Sequence, residues 1–184
     1  MKVELITKTT GLNKFENRSI DEIIVGIARV SSDREDLFAN PEKLLRHCAS
    51  EQHWSIFESC HLTAEITTSR AMSHEIIRHR SMSFQEFSLR YAIAMDVEDV
   101  EIRSQATKNR QSSEEMIDNN VKAMAEALVE SSLIQSTGEY NDLISMGVAR
   151  EVARFILPLA TQTKIHATGS VRSWITFLNA RLHK

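Results

Sequence analysis

The sequence predicts an α+β fold, a small and mostly antiparallel sheet packed with long helices in a single domain spanning residues 1–184. Short segments alternate apolar and polar side chains, which is typical of half-buried strands. Longer segments repeat apolar side chains at helical spacing. Two prolines and five glycines in 184 residues leave no obvious linker. The mixture of the two patterns in one continuous chain favours this fold class.

The first third of the chain predicts one strand and two helices. Residues 2–8 alternate and predict a strand. Ser19 or Asp21 can cap a helix over residues 21–30, where apolar side chains recur at helical spacing. A second helix should begin at Pro41, since a proline in the first turn gives up an amide that has no partner there.

The middle of the chain predicts a strand, a helix and a loop. Residues 62–67 alternate as a half-buried strand, and Ser69 can cap a helix over 69–79. Residues 80–92 have no clean period and predict a loop that leads into a strand. Two serines followed by two glutamates at 112–115 match a capping signature and predict a helix to about residue 133.

The last third predicts two helices, a strand and a final helix. The helices should cover residues 136–146 and 149–157, and the strand 163–170. Ser170 or Ser173 can cap the last helix.

The composition is that of an ordinary globular protein and excludes several classes. A net charge of −3 gives no overall basic field, so no nucleic-acid partner is expected. No apolar run approaches 20 residues, and the first residues lack a secretion signal. Cys48 and Cys60 form neither a CxxC pair nor a disulfide framework. We therefore expect a cytoplasmic protein without a membrane partner, in the host cytoplasm if the source is viral.

Polar side chains are concentrated between Ser73 and Tyr91, with Arg78, His79 and Arg80 in succession. Cationic groups at a helix end interact well with its negative dipole, so a solvated helix terminus is one explanation. Aromatic residues also interleave with these charges, and arginines bind anionic, flat ligands in a fork. Both readings remain open on these residues alone.

Two familiar site chemistries do not fit this segment. The run HEIIRH resembles a zinc motif, but His74 and His79 are five residues apart and would point about 140° apart on a helix. No metal site is therefore predicted. There is also no glycine-rich phosphate loop, so a nucleotide would have to be held in another way.

The segment from Arg78 to Ser88 reads R-H-R, seven residues, then S, and it resembles the signature of flavin-dependent thymidylate synthases. Further blocks resemble that family in the same order: ARVS at 28–31, HWSIFE at 53–58, REVAR followed by LPL at 150–159, and LNAR at 178–181. The resemblance covers nearly the whole chain.

This resemblance implies an enzyme that methylates dUMP to dTMP. FAD would carry the hydride, NADPH would reduce the flavin, and methylenetetrahydrofolate would donate the carbon. It also implies a homotetramer whose sites are shared between subunits. The alternative is a relative that binds FAD and nucleotide with lost or weakened catalysis.

The resemblance also assigns roles to individual residues. Those implied to contact the flavin are Ser31, Ser55, Glu58, Arg78, His79, Arg80, Glu86, Ser170, Arg172 and Thr176. Those implied to contact dUMP are Glu75, Arg78, Glu86, Ser88, Leu89, Arg90, Arg154 and Arg181. Arg181 is the expected catalytic residue, because a guanidinium beside the uracil imide favours its ionised form. For Arg154 the alternative is an exposed helix arginine paired with Glu151.

Some residues depart from the family pattern. Glu75 stands where the family often has glutamine, and Arg78 would have to neutralise it. Ser170 and Thr176 replace other polar side chains, with less reach. The chain stops three residues after Arg181, where the family usually continues into another helix, so a shortened C-terminus is expected.

Overall fold

The computed structural model describes residues 1–33, 35–94 and 96–182. The strands are β1 (Lys2–Lys8), β2 (His61–Ser69), β3 (Ser83–Glu86), β4 (Arg103–Gln105), β5 (Ser113–Glu115) and β6 (Gln162–Ser170). The α-helices are α1 (Ile20–Ala28), α2 (Pro41–Ser50), α3 (Arg70–Ile76), α4 (Asn119–Ser145), α5 (Arg150–Ala153) and α6 (Val171–Leu182). Short 3-10 turns cover Asn13–Phe15, Trp54–Glu58 and Arg154–Ile156.

The main sheet has four strands in the order β1-β2-β6-β3. Strand β3 runs antiparallel to β6, with Gln85 opposite His166. Cross-strand contacts also join β2 to β6: His166 Nε2 lies 3.0 Å from Glu65 Oε2, and the Thr63 and Thr168 hydroxyls lie 2.9 Å apart. Residue numbers fall along β2 as they rise along β6, so these two strands are antiparallel. The expected α+β class with a small antiparallel sheet is confirmed.

The described residues form two compact units. The sheet unit contains residues 2–66, 75–86 and those from 165 onward, and the long-helix unit contains Met1, 67–74 and 87–164. Strands β2 and β6 and helix α3 contribute residues to both.

The sheet unit contains two apolar clusters. The first joins Ile66 of β2 and alternate residues of β6 to α6, and its buried members are Ile66, Ile76, Met82, Ile165, Ala167 and Phe177. The second packs α1 against α2 and the 54–58 turn, with Ile23, Ile24, Cys48, Phe57 and Cys60 buried. At the end of β6, a side chain on Gly169 would come within 2.9 Å of Met82 and 3.1 Å of Ser173, so only glycine allows this close approach.

Helix α4 dominates the long-helix unit, with 27 residues. The Asp118 side chain caps it by accepting hydrogen bonds from the amides of Asn120 and Val121. Tyr140 is buried, and its hydroxyl accepts a hydrogen bond from the amide of Ala94 at 3.2 Å. In the described part of the chain, no helix is both long enough and apolar enough to cross a membrane.

Several predicted elements are confirmed. Strand β1 covers residues 2–8, α2 begins at Pro41, and β6 contains the predicted strand at 163–170. Ser19 caps α1 through a capping box with Glu22. Ser170, not Ser173, caps α6, since the Ser170 hydroxyl accepts a hydrogen bond from the amide of Ser173.

The helix predicted from residue 112 is wrong. Ser113–Glu115 form β5, paired antiparallel with β4. The Arg103 guanidinium holds this pairing by donating to the Ser113 hydroxyl at 2.8 Å, so the serine serves the hairpin and not a helix cap. The two helices predicted over 112–146 are one helix, α4, because nothing breaks it between residues 133 and 136.

Three boundaries also differ. Helix α3 ends at Ile76, short of residue 79. The predicted loop at 80–92 contains strand β3. The helix predicted over 149–157 is the short α5 followed by a 3-10 turn.

Candidate active site

The sheet unit has an open cavity of about 850 Å³. The segment after α1, helix α2, the 52–56 segment and the start of α6 surround it. Three residues with an expected flavin role lie on its wall: Ser31, Ser55 and Arg172. The sequence interpretation missed other wall residues, chiefly Arg29, Gln52, His53 and Trp54. Arg29 lies in the ARVS block at 28–31, and His53 and Trp54 are the first two residues of the HWSIFE block at 53–58.

Glu58 connects this wall to the end of β6. Its Oε1 accepts a hydrogen bond from Arg172 Nη1 at 3.0 Å. A hydrogen bond from the Ser170 hydroxyl holds the pKa of Glu58 below its ordinary value of 4.5, and Arg172 lowers it further while burial opposes them. Glu58 is therefore a charged carboxylate at neutral pH that fixes the Arg172 guanidinium at the cavity.

A chain of hydroxyl groups continues from Ser170 to the R-H-R segment. The Ser170 and Ser173 hydroxyls lie 3.2 Å apart, and both side chains are buried. Ser173 Oγ donates to the carbonyl oxygen of Ser81 at 2.8 Å. Ser81 Oγ in turn lies 2.9 Å from His79 Nε2. Ser81 and Ser173 were not among the predicted site residues, because isolated serines carry no signal in a sequence.

The two arginines of the R-H-R segment are exposed. Arg78 Nη1 lies 3.3 Å from Glu75 Oε1, an ion pair between neighbours on α3 and its end. This contact is the neutralising pair that was expected of Glu75 and Arg78. Both side chains are mostly in solvent, so the pair contributes little to stability. Arg80 is exposed as well.

Arg181, near the end of α6, is held in one orientation by two backbone carbonyls and a ring. Its Nη2 donates to the carbonyl oxygen of Glu75 at 3.0 Å, and its Nη1 to that of Phe177 at 3.4 Å. Its Cζ lies 3.9 Å from the centre of the Phe177 ring. The expected catalytic guanidinium is therefore directed to the C-terminal end of α3.

Two more predicted flavin residues, Glu86 and Thr176, lie in the sheet unit and have neighbours there. Glu86 is half-buried in β3, opposite Ile165 in the register with β6. The Thr176 hydroxyl donates to the carbonyl oxygen of Arg172 at 3.0 Å, so it is bonded within its own helix.

In the long-helix unit, Ser88 organises a tight turn. Its hydroxyl accepts from the amide of Arg90 at 3.3 Å, and its carbonyl accepts from the amide of Tyr91 at 3.1 Å. Leu89 is 4% exposed and anchors the turn. The Leu89 side chain therefore serves packing, and its predicted nucleotide contact can come only from the main chain.

Two predicted nucleotide-binding arginines of this unit, Arg90 and Arg154, contact Glu151 of α5. Arg90 Nη2 lies 3.6 Å from Glu151 Oε2. Arg154 Nε donates to the carbonyl oxygen of Glu151 at 3.2 Å, and its guanidinium lies 5.7 Å from the Phe155 ring centre. The carboxylate of Glu151 is thus paired with Arg90. The described contact of Arg154 with Glu151 is to the carbonyl oxygen, whereas the carboxylate contacts Arg90.

Among the described residues, no group of three or more His, Cys, Asp or Glu side chains is arranged to hold a metal ion. The side chains that the candidate residues of the two units offer to a bound molecule are mainly guanidiniums, hydroxyls and carboxylates.

Comparisons with known proteins identify the family of this chain. The family model described as thymidylate synthase complementing protein matches residues 15–184. A flavin-dependent thymidylate synthase of Synechocystis sp. is 45% identical over 178 residues, covering 96% of this chain and 81% of that protein. A probable flavin-dependent thymidylate synthase of Paramecium bursaria Chlorella virus 1 is 37% identical, covering 98% of this chain and 84% of that protein.

Among solved structures, a UMP/dUMP methylase, PolB from Streptomyces cacaoi, bound with 5-Br dUMP, superposes with a TM-score of 0.74. The two proteins are 27% identical, and the match covers 96% of this chain and 76% of that one. The family match over most of the chain, together with these relatives, establishes that the chain belongs to the flavin-dependent thymidylate synthase family.

Proposed function

We propose that this protein converts dUMP to dTMP by reductive methylation, with FAD as hydride carrier, methylenetetrahydrofolate as carbon donor and NADPH as reductant. The observation that carries the proposal is the cavity that brings together Ser31, Ser55 and Arg172, with Glu58 fixing the arginine. It occurs in a chain whose relatives are named flavin-dependent thymidylate synthases.

The cavity has groups that suit a flavin nucleotide. Arg172 offers a cation for a phosphate, and serine hydroxyls offer neutral donors. Trp54 and Ile56 offer apolar surface for a flat ring. A volume of about 850 Å³ lies within the ordinary range of cofactor sites.

The bound flavin would supply hydride transfer, which removes the need for a cysteine nucleophile. The chain's own cysteines suit this chemistry. Cys60 is fully buried, and burial raises the pKa of its thiol above the ordinary value of 9.0. A buried, protonated thiol is a poor nucleophile. Two free, buried cysteines also fit a reducing cytoplasm, where we place the reaction.

The nucleotide is assigned to the predicted arginines Arg90, Arg154 and Arg181. Arg90, held at the Ser88 turn, would bind the dUMP phosphate with main-chain amides of that turn. Arg154 would add a second cation. Arg181 would lie beside the uracil imide and stabilise negative charge there, which raises the ring's reactivity towards the one-carbon unit.

A homotetramer with sites shared between subunits completes the proposal. Large apolar side chains around the arginines of the long-helix unit are exposed: Tyr91 is 78% exposed, Val152 55%, Phe155 81% and Leu159 59%. Exposed apolar side chains grouped in this way mark protein contacts. Contact with another subunit would bury them beside the substrate.

A second candidate is a relative that binds FAD and nucleotide with weakened turnover. The specific observation in its favour is Glu75, which adds an exposed carboxylate three residues before Arg78. Both candidates predict flavin binding, and only the first predicts sustained dTMP formation.

One assay separates them. The purified protein is mixed under anaerobic conditions with FAD, NADPH, methylenetetrahydrofolate and either dUMP or UMP, and the methylated nucleotide is quantified. We expect dTMP that depends on every component, with dUMP preferred over UMP. Flavin binding without any methylated product would support the binding-only candidate, and a protein that binds no FAD would contradict both.

A further inference from the structure

The ring of Phe177 on α6 contacts two predicted site residues that come from different parts of the chain. Phe177 is 8% exposed and belongs to the apolar cluster between β6 and α6. The Arg181 guanidinium lies over it, with 3.9 Å between Cζ and the ring centre. The His79 ring lies perpendicular to it, with the ring centres 5.3 Å apart. No role was assigned to Phe177 from the sequence.

The contact with Arg181 fixes an otherwise flexible side chain. A guanidinium on a long aliphatic stem has many rotamers, and a ring beneath it selects the few that place the cation on the aromatic face. The carbonyl oxygen of Phe177 also accepts from Arg181 Nη1, and that of Glu75 from Nη2. Phe177 thus holds the guanidinium through both its ring and its main chain.

The contact with His79 fixes the centre of the R-H-R segment. Ser81 Oγ binds His79 Nε2 at 2.9 Å, while the Phe177 ring packs perpendicular to the imidazole. A perpendicular arrangement is a preferred geometry for two rings. The same ring therefore sets the position of His79, expected at the flavin, and of Arg181, expected at the uracil.

We propose that Phe177 is a positioning residue that aligns Arg181 with His79, and so the pyrimidine with the flavin. The inference rests on the proposed function, because alignment has a consequence only if both ligands bind. Phe177 does not touch substrate in this account. Its effect is confined to the geometry of the reacting partners, where a displacement near 1 Å can cost up to about 100-fold in rate.

The test compares matched substitutions in one apolar cluster. Phe177→Leu removes the ring, Phe177→Tyr keeps it, and Phe84→Leu is the control. Phe84 packs against the same cluster, but its ring is in neither the pair with His79 nor the contact with Arg181. For each variant, kcat per bound flavin and the KM for dUMP are measured, together with the melting temperature.

We expect Phe177→Leu to lower kcat per bound flavin about 10-fold or more, with the KM for dUMP within about twofold of the wild type. Phe177→Tyr should recover most of kcat. Phe84→Leu should stay within about twofold of the wild type in both constants. If the leucine variant melts below the assay temperature, Phe177→Met makes the same comparison, because its unbranched side chain adapts better to the space that the ring leaves.

Equal kcat values for Phe177→Leu and Phe84→Leu would overturn the positioning role while the wild type remains active. Failure of tyrosine to recover kcat beyond the leucine value would overturn it too, since the aromatic face would then be irrelevant. Failure of the proposed function has a different signature: the wild type itself would form no dTMP.

Discussion

The candidate residues of the sheet unit and those of the long-helix unit are held in different ways. In the sheet unit, Glu58 and Arg172 form an ion pair in which each side chain is about half-exposed, and Glu58 is joined to the Ser170 hydroxyl. Ser170 and its neighbour Ser173 are buried, at 4% and 7% exposed. In the long-helix unit, Arg90 and Glu151 form a contact of 3.6 Å with more than half of each side chain exposed.

This difference indicates different tasks. Buried polar groups are costly to leave without partners, so a satisfied network fixes the geometry of the sheet unit before any ligand arrives. Exposed ion pairs contribute little, so Arg90 can exchange its carboxylate for a phosphate at small cost. We therefore propose that the prearranged wall holds the resident flavin and that the exchangeable Arg90 meets the phosphate of the incoming nucleotide.

The largest effect is expected at Arg181. Substitution by alanine should lower dTMP formation about 100-fold or more, because a cation aligned with developing charge is lost. Bound flavin should remain near the wild-type level, as measured by absorbance. Arg181→Lys is the control that keeps the charge without the fork. Turnover of the alanine variant within about threefold of the wild type would move the activating role to another residue.

The next largest effect is expected at Glu58. Glu58→Gln should weaken FAD binding about 10-fold, since Arg172 loses its charged anchor. The pKa of Glu58 is lowered in the folded protein, so the ion pair is complete above about pH 4.5 and is lost as pH falls below that value. Because the pKa of Glu58 is lowered, the affinity for FAD, measured by fluorescence titration, should not change through this group between pH 5 and 8.

The fall in FAD affinity at acid pH, which we call the acid limb, tests the role of Glu58. Wild-type affinity should fall below about pH 4.5, whereas Glu58→Gln should lack the part of that fall that Glu58 contributes. Identical acid limbs in the two proteins would remove Glu58 from the flavin wall.

A smaller effect is expected at the buried hydroxyl chain. Ser173→Ala should lower the free energy of unfolding by about 1 kcal/mol, since the carbonyl oxygen of Ser81 loses its donor. In a chain of this length the melting temperature should fall by about 2–4 °C. The exposed Ser145→Ala is a control, because that hydroxyl bonds only to its own helix. An equal decrease in the free energy of unfolding in both variants would show that the buried hydroxyls stabilise the fold no more than an exposed one.

The smallest effect is expected at Glu151. Glu151→Gln should change the free energy of unfolding by less than about 0.5 kcal/mol, because the pair with Arg90 is exposed. The KM for dUMP should stay the same or fall slightly, as Arg90 is released for the phosphate. A KM increase of about 10-fold would mean that Glu151 must hold Arg90 in place.

The sequence predicted the elements that depend on local chemistry. The capping box at Ser19, the proline at the start of α2 and the alternation of β6 are readable because each depends on neighbours in the chain. The fold class followed from them. The hairpin of β4 and β5 was missed because Arg103 recruits Ser113 from ten residues away.

The continuous α4 was missed for a different reason. The predicted break fell at residues 133–136, which contain neither proline nor glycine, and the helix runs unbroken from Asn119 to Ser145. For the site, the resemblance assigned Ser31, Ser55 and Arg172 to the flavin, and the structure brings these three residues to one cavity. It could not identify Ser81, Ser173 or Phe177, because their contacts join β6, α6 and the R-H-R segment through the fold.

The central claim is that two differently built groups of residues bind two different ligands. It is tested most directly by titrating Arg172→Ala and Arg90→Ala with FAD and with dUMP in parallel. We expect a crossed result: about 10-fold weaker FAD binding in Arg172→Ala with dUMP binding per bound flavin unchanged, and the reverse in Arg90→Ala. Equal loss of both ligands in each variant, or weaker FAD binding in Arg90→Ala alone, would contradict the account.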